Sequence, residues 1–183
     1  YPPAFVAAFP GERAPLTFDN IARALAAYEE TLTSPGRWDR FLEGDAAAIT
    51  DDEKAGFNRF VDVGCPTCHF GPHVGATMFQ KTGLVKAWPD TKDRGKYELT
   101  KRGSDYMVFR VPSLRNVAAT APYFHDGSIA TLDTAIRMMA LHQLGKELDD
   151  RDVSLIQAWL GTLTGSATPP APAASGAPTS PPH

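Results

Sequence analysis

The run Gly64-Cys65-Pro66-Thr67-Cys68-His69 has the pattern C-x-x-C-H, in which a histidine directly follows the second cysteine. This pattern is typical of a covalent attachment site for a c-type haem. Cys65 and Cys68 would each form a thioether with a haem vinyl group, and His69 would bind the iron. The motif therefore predicts one covalent haem c together with its proximal ligand.

Three other interpretations of the motif compete with haem attachment. A zinc site needs two further ligands, but Cys65 and Cys68 are the only cysteines in the chain, and His73, one turn on, would make a cramped fourth ligand. A thioredoxin-like redox pair needs a βαβ setting, which the flanking sequence does not supply. A purely structural pair does not explain the position of the histidine.

Composition sets the broad class of the protein. A chain of 183 residues with 43% hydrophobic residues is long enough for one globular domain with a core of useful size. The net charge of −3 offers no basic surface for nucleic acid, and no apolar run approaches the ~20 residues of a membrane span.

The compartment is predicted from the cofactor, because both cysteines are assigned to the haem and none is left for a disulfide. Bacterial c-type haems are attached outside the cytoplasmic membrane, so we expect a periplasmic protein. No signal peptide begins at Tyr1, which predicts that the chain is mature or trimmed.

Helical periodicity before the motif predicts two helices. Residues 1–16, with four prolines, are predicted to be a loop. A helix follows from Thr17 to about Thr33, and its apolar stripe is predicted to be core. The stripe consists of Phe18, Ile21, Ala22, Leu25 and Tyr28. A capping box from Thr50 to Glu53 begins the helix that leads into the haem motif.

After the motif, residues 70–110 show little periodicity and are predicted to be long loops organised by the haem. Residues 106–112 are predicted to be an extended loop or an edge strand. A third helix runs from Thr131 to about Leu144, and a fourth begins at Asp149. The apolar face of the fourth consists of Val153, Ile156, Trp159, Leu160 and Leu163.

These elements predict an all-α, cytochrome c-like helical domain around one covalently bound haem, with long loops. Residues 1–48 are expected to be an N-terminal loop and helix that pack on the domain, and residues 49–165 to be the haem domain. Residues 166–183 are rich in proline and alanine and carry no large apolar side chain. They are predicted to be a disordered tail.

The sixth ligand of the iron decides the chemistry, because a closed coordination shell favours electron transfer and an open one binds small ligands. Met139 is favoured because it shares a helical stripe with Leu132 and Ile136, although such a methionine is often core filler. Met107 is the next candidate. The full set of candidates is Met78, Met107, Met138, Met139, His73, His125 and His142.

Several runs resemble the C-terminal half of bacterial di-haem cytochrome c peroxidases, a family related to MauG, over nearly the whole chain to about Gly165. The runs are Val63-Gly64-Cys65-Pro66-Thr67-Cys68-His69, Phe79-Gln80-Lys81, Val111-Pro112-Ser113-Leu114-Arg115-Asn116, Thr120-Ala121-Pro122-Tyr123-Phe124-His125-Asp126-Gly127, Gln143-Leu144-Gly145 and, earlier, Asp19-Asn20-Ile21-Ala22-Arg23-Ala24-Leu25.

The resemblance implies a high-potential haem with histidine and methionine ligands. The family's axial methionine matches Met139, whereas MauG has a tyrosine there, so Met139 favours the peroxidase branch. A small donor protein, a cytochrome c or a cupredoxin, is the implied electron source. The resemblance also implies a homodimer and a Ca²⁺ ion bound partly by the backbone carbonyls of Thr120 and Pro122.

The chain departs from the family in carrying one C-x-x-C-H motif instead of two. The peroxide-binding haem, with its glutamate and tryptophan, belongs to the family's N-terminal half. We therefore predict an electron-transfer haem domain of a cytochrome c peroxidase, with no catalytic residue of its own and little peroxidase activity alone. The alternative is a stand-alone mono-haem cytochrome that only shuttles electrons.

Two polar residues in the motif-rich stretch are candidate partners of a haem propionate. Arg115 is one, because a guanidinium pairs bidentately with a carboxylate. His125 is the other, and it would link the iron's potential to pH. The competing interpretation of His125 is a core or turn histidine satisfied by the backbone.

Overall fold

The computed structural model describes residues 1–166. The predicted tail, 166–183, lies outside the described residues except for Ser166. The chain divides into two compact units, residues 35–165 and a smaller one that contains residues 1–34. Residues 35–48 thus lie in the larger unit, whereas the sequence analysis groups them with the N-terminal segment, residues 1–48.

The smaller unit contains helices α1 (Pro2–Ala8) and α2 (Phe18–Glu29). The prediction of a loop over residues 1–16 is wrong for α1. Pro2 and Pro3 occupy the first turn of this helix, where an amide hydrogen has no partner within the helix and proline is tolerated. The prolines therefore mark the start of a helix rather than its absence.

Helix α2 begins where the sequence predicts, with Thr17 Oγ1 accepting a hydrogen bond from the Asn20 amide at 3.2 Å. Its apolar stripe is not core, however. Phe18 is 84% exposed and Leu25 is 57% exposed, and Asn20 is the buried residue of the helix. Periodicity shows that one face of a helix is apolar, but it does not show what covers that face.

The larger unit is helix-rich. Its helices are α3 (Arg37–Leu42), α4 (Asp51–Val63), α5 (Tyr97–Thr100), α6 (Leu132–Leu144) and α7 (Asp150–Thr162). Strand β1 (Phe79–Lys81) pairs antiparallel with β2 (Val108–Arg110), with Gln80 opposite Phe109. The extended conformation predicted for residues 106–112 is confirmed at β2. This sheet is the departure from an all-α fold among the described residues.

The core forms where α4 packs on α7. Trp159 is 1% exposed, and its ring centroid lies 4.5 Å from that of Phe60 on α4 and 5.6 Å from that of Trp38 on α3. The predicted apolar face of α7 is confirmed, because all five of its members are buried. Residues 35–48 belong to the unit because α3 contributes Trp38 to this core.

The predicted capping box of α4 is confirmed. Thr50 Oγ1 accepts a hydrogen bond from the Glu53 amide at 3.3 Å, and the Glu53 carboxylate accepts one from the Thr50 amide at 2.8 Å. Arg37 also pairs with Glu53 and holds the pKa of that carboxyl below its usual range. The helix ends at Gly64, whose φ of 102° is left-handed, and the chain turns there into the haem motif.

We expect Gly56→Ala to destabilise the fold, although alanine is the better helix former. A Cβ at Gly56 would lie 2.0 Å from the Leu155 carbonyl oxygen of α7 and 3.0 Å from Trp159 Cβ. Overpacking costs about 1–3 kcal/mol, which exceeds the ~1 kcal/mol of helix propensity that alanine gains over glycine.

The measurement is thermal unfolding of the full chain, where each kcal/mol corresponds to a fall in Tm of about 2–4 °C. Gly161→Ala is the matched control, because Gly161 lies in α7 and a Cβ there would meet no atom within 4 Å. Equal Tm values for the two variants would contradict this prediction, because they would show that α4 and α7 can move apart around the new side chain without loss of stability.

Candidate functional site

The haem motif forms one tight turn at the end of α4. Residues Cys65–Thr67 make a turn of 3-10 helix, and the Cys65 carbonyl accepts hydrogen bonds from the amides of Cys68 (3.2 Å) and His69 (3.0 Å). Both cysteines are free thiols and are partly buried. Backbone hydrogen bonding alone therefore brings the three residues of the motif together.

This turn forms part of the wall of a cavity of about 430 Å³. Cys65, Cys68 and His69 line it together with His125 and with Met139 of α6, so five of the predicted haem contacts meet in one space. The rest of the lining is largely apolar. It includes Phe60, Leu114, Val117, Phe124, Leu132, Ile136, Ile156 and Leu160.

The residues of this cavity fit a c-type haem. Nδ1 of His69 is buried and makes no hydrogen bond that meets the usual geometric limits. Burial lowers the pKa of His69, and the backbone of Val74 and Pro112 acts in the opposite direction. The imidazole is therefore neutral near pH 7, which is the state that binds iron.

Cys65 does not have the properties of a reactive redox thiolate. Burial raises the pKa of its thiol to about 11, whereas reactive cysteines have a lowered pKa. Within residues 1–166, no group of three or more histidine, cysteine, aspartate or glutamate side chains is arranged to hold a metal ion. The raised pKa disfavours the redox interpretation of the C-x-x-C run, and the lack of such a group among these residues disfavours the zinc interpretation.

The cavity narrows the set of candidate sixth ligands. Of the candidates, Met139 and His125 line it. Met107 is 3% exposed but is buried elsewhere. His142 is also buried, with Nδ1 3.0 Å from the Lys86 carbonyl oxygen. His125 Nε2 lies 3.3 Å from Asp93 Oδ2, which leaves Met139 as the residue without a competing partner in the described hydrogen bonds.

The two candidate propionate partners lie in different surroundings. His125 lines the cavity, pairs with Asp93, and stacks on Phe109 with 4.4 Å between ring centroids. The His125 ring therefore interacts with the side chains of Asp93 and Phe109 rather than with the backbone alone. Arg115 does not line the cavity. Its guanidinium is 2.7 Å from Asp39 Oδ2 and 2.9 Å from the Pro72 carbonyl oxygen.

Thr120 and Pro122, the predicted Ca²⁺ ligands, both line the cavity. Because their predicted contacts are backbone carbonyls, a calcium site here needs no cluster of acidic, histidine or cysteine side chains. The calcium site stays a prediction.

Trp88 is a cavity residue that the sequence did not single out. It is 8% exposed and meets the ring edges of Phe124, at 4.8 Å between centroids, and His142, at 5.0 Å. It lies in a loop without periodicity, so pattern alone does not find it. The available signal was a lone tryptophan in a polar stretch, since tryptophan usually needs burial.

Comparison with known proteins identifies the family. A model of the family described as di-haem cytochrome c peroxidase matches residues 1–47. Cytochrome c551 peroxidase of Nitrosomonas europaea is 46% identical over 82% of this chain and 46% of its own length. That of Pseudomonas aeruginosa is 44% identical over 90% of this chain and 49% of its own length. The chain belongs to the di-haem cytochrome c peroxidase family.

Membership of the di-haem cytochrome c peroxidase family implies a haem c cofactor. A crystal structure of a MauG-like protein associated with microbial copper homeostasis matches the fold with a TM-score of 0.72. That protein is 27% identical, and the match covers 88% of this chain and 57% of the other. The chain spans about half the length of the curated relatives that it matches.

One further observation concerns the membrane. In the part of the chain that the structure describes, no helix is both long and apolar enough to cross a bilayer.

Proposed function

We propose that this chain is the electron-transfer haem c domain of a di-haem cytochrome c peroxidase. It accepts electrons from a small donor protein and passes them to a peroxide-reducing haem in another half of the protein. The observation that carries the proposal is the single cavity that Cys65, Cys68, His69 and Met139 line together.

Four residues of the cavity have a definite task in this proposal. Cys65 and Cys68 hold the haem by thioether bonds, so that it stays in place during many redox cycles. His69 would supply a neutral imidazole and Met139 a thioether as the two protein ligands of the haem iron. When bound, the haem supplies a one-electron iron couple.

The apolar walls serve the same task. Side chains such as Leu132, Ile136 and Leu160 line the cavity and would surround the haem with apolar groups. A cavity of low polarity disfavours the more highly charged ferric state and so raises the reduction potential. A methionine ligand acts in the same direction. Both effects favour a high-potential electron acceptor.

Family membership supports the remaining features that we propose. The protein is periplasmic and forms a homodimer, and its donor is a cytochrome c or a cupredoxin. Residues 49–165 form a cytochrome c-like domain around one haem, and residues 1–48 contact the N-terminal haem half. A Ca²⁺ ion binds to the carbonyls of Thr120 and Pro122. The length of the relatives, about twice that of this chain, supports the existence of a second half.

A second candidate is an independent mono-haem cytochrome c that only shuttles electrons. The single C-x-x-C-H motif favours it, since one haem is sufficient for a carrier.

Haem attachment is tested by expressing the full chain with a bacterial c-type haem maturation system. We expect the mass of one haem on the chain and a pyridine haemochrome of a haem with both vinyl groups saturated. Cys65→Ala is expected to leave one thioether and shift the haemochrome band, and the double variant with Cys68→Ala to lose covalent haem. A wild-type chain without added haem mass would overturn the proposal.

A further inference from the structure

The loop at residues 70–76, directly after His69, is fastened to residues 111–115. The hydrogen bonds are Ala76 N to Val111 O (3.0 Å), Ser113 Oγ to His73 O (2.7 Å), Leu114 N to Val74 O (3.2 Å) and Arg115 Nε to Pro72 O (2.9 Å). We call these two segments the proximal clamp. The loop contains no helix or strand. Two turn hydrogen bonds of its own, from Val74 N to Gly71 O and from Gly75 N to Phe70 O, and the contacts with residues 111–115 together hold it in place.

Gly75 lets the clamp close on the imidazole of His69. Its φ is 128°, and a Cβ there would lie 2.1 Å from the Pro112 carbonyl oxygen and 3.1 Å from His69 Nδ1. Any side chain at this position would therefore push the Pro112 backbone away from the ring. The close approach matters because His69 Nδ1 has no hydrogen-bond partner of normal geometry among the described residues. The Pro112 carbonyl is therefore a group available to accept the proton of this nitrogen when the imidazole binds iron, and such an acceptor makes a ligating imidazole more basic.

Arg115 joins the clamp to helix α3. Its guanidinium donates to Asp39 Oδ2 at 2.7 Å, and that oxygen also accepts the Gly36 amide at 2.7 Å. The side chains are only 19% and 23% exposed, so solvent screens the pair weakly. Arg115 holds the pKa of Asp39 below its usual range, and the pair is therefore ionised at neutral pH.

We propose that Arg115 and Asp39 are positioning residues for His69, which hold the proximal clamp against its imidazole. This assigns Arg115 a role different from that of a haem-propionate partner, and it agrees with the absence of Arg115 from the described cavity lining. The inference rests on the proposed haem site.

The clamp has a consequence for the iron. Without the Arg115 guanidinium, the Pro72 carbonyl and the Asp39 carboxylate lose their shared donor, and residues 70–76 are held by fewer bonds. The Pro112 backbone then lies less closely against His69. A less basic imidazole stabilises ferric iron less, so the reduction potential rises.

The test uses the haem-loaded full chain and the variants Arg115→Ala, Asp39→Ala and the double variant. We expect one haem per chain in each. Both single variants should raise the reduction potential. They should also lower the iron–imidazole stretching frequency, which is measured by resonance Raman spectroscopy of the ferrous, ligand-free haem when each variant is combined with Met139→Gly. The double variant should shift them no further than one single variant, because the two residues act as one unit.

Two conservative variants guard against misfolding. Arg115→Lys keeps the charge but cannot span both Asp39 and the Pro72 carbonyl, so it should restore part of the shift. Asp39→Asn should behave similarly.

Arg37→Ala is the matched control, because Arg37, like Asp39, lies on α3. It bridges a carboxylate, that of Glu53, and a carbonyl, that of Ala48, without touching residues 70–76. It should lower Tm and leave the potential unchanged.

Three outcomes would overturn the inference. A shift with Arg115→Ala but not with Asp39→Ala would make Arg115 a propionate partner. A lower Tm with unchanged potential and unchanged Raman frequency would give the pair a purely structural role. A wild-type chain without covalent haem would remove the proposed haem site as well, and it is recognised by missing haem mass rather than by an unchanged spectrum.

Discussion

Met139→Ala is expected to remove the weak far-red absorption band of methionine-ligated ferric haem and to lower the reduction potential. The reason is that Met139 lines the cavity with Cys65, Cys68 and His69, and that a thioether ligand stabilises ferrous iron. Axial ligands set haem potentials over about 0.8 V, so we expect a fall on the order of 0.1 V or more. Optical titration of the haem-loaded chain measures both quantities.

Two neighbouring methionines serve as controls. Met138 precedes Met139 on α6 but does not line the cavity, so Met138→Ala should retain the band and the potential. Met107 is buried away from the cavity. Met107→Ala should cost about 2–5 kcal/mol of stability and also retain the band. Loss of the band in Met138→Ala or Met107→Ala alone would move the ligand to that residue.

The second large effect concerns peroxide. Reduction of peroxide requires an iron position that peroxide can occupy. In the proposed site, His69 and Met139 would be the two protein ligands of the iron and would leave no such position open. It also requires a group that moves protons between the peroxide oxygens, and a positioned group of this kind contributes about 10²–10⁴-fold. We therefore expect the chain alone to turn over peroxide at least ~10²-fold more slowly than a complete two-haem enzyme.

Stopped-flow mixing of the reduced chain with peroxide, with and without a reduced donor cytochrome, measures this rate. Met139→Gly should open the iron and produce a slow, non-specific reaction, whereas Met139→His should keep it closed. Addition of the N-terminal haem half of a relative should raise turnover if the chain is an electron-transfer domain, and should have no effect if it is an independent carrier. Rapid turnover by the chain alone, with one haem, would falsify the assignment of Met139.

Features that depend on neighbours in sequence could be predicted without a structure. The capping box of Thr50 and Glu53 joins atoms three residues apart, and the turn of the C-x-x-C-H motif closes through the Cys65 carbonyl. The ends of α6 at Gly145 and the buried face of α7 are of the same kind. In each case, local hydrogen bonding or helical periodicity is sufficient.

Features that depend on which residues pack against a given side chain could not be predicted without a structure. The stripe of α2 has the period of a core helix, yet Phe18 and Leu25 are exposed, because periodicity carries no information on a covering partner. Helix α1 is missed from the sequence for a different reason. Proline breaks the interior of a helix but fits its first turn, where Pro2 and Pro3 lie.

The candidate site shows the same division. The sequence by itself predicts a haem motif, a proximal histidine and a short set of candidate sixth ligands, because these predictions follow from residue type and spacing. Only the tertiary structure decided that Met139 shares a cavity with His69 while Met107 does not, and that Arg115 joins Asp39 across 76 residues of chain. These pairings depend on how α3, α6 and the loops pack, and contacts between residues far apart in the chain leave no local pattern.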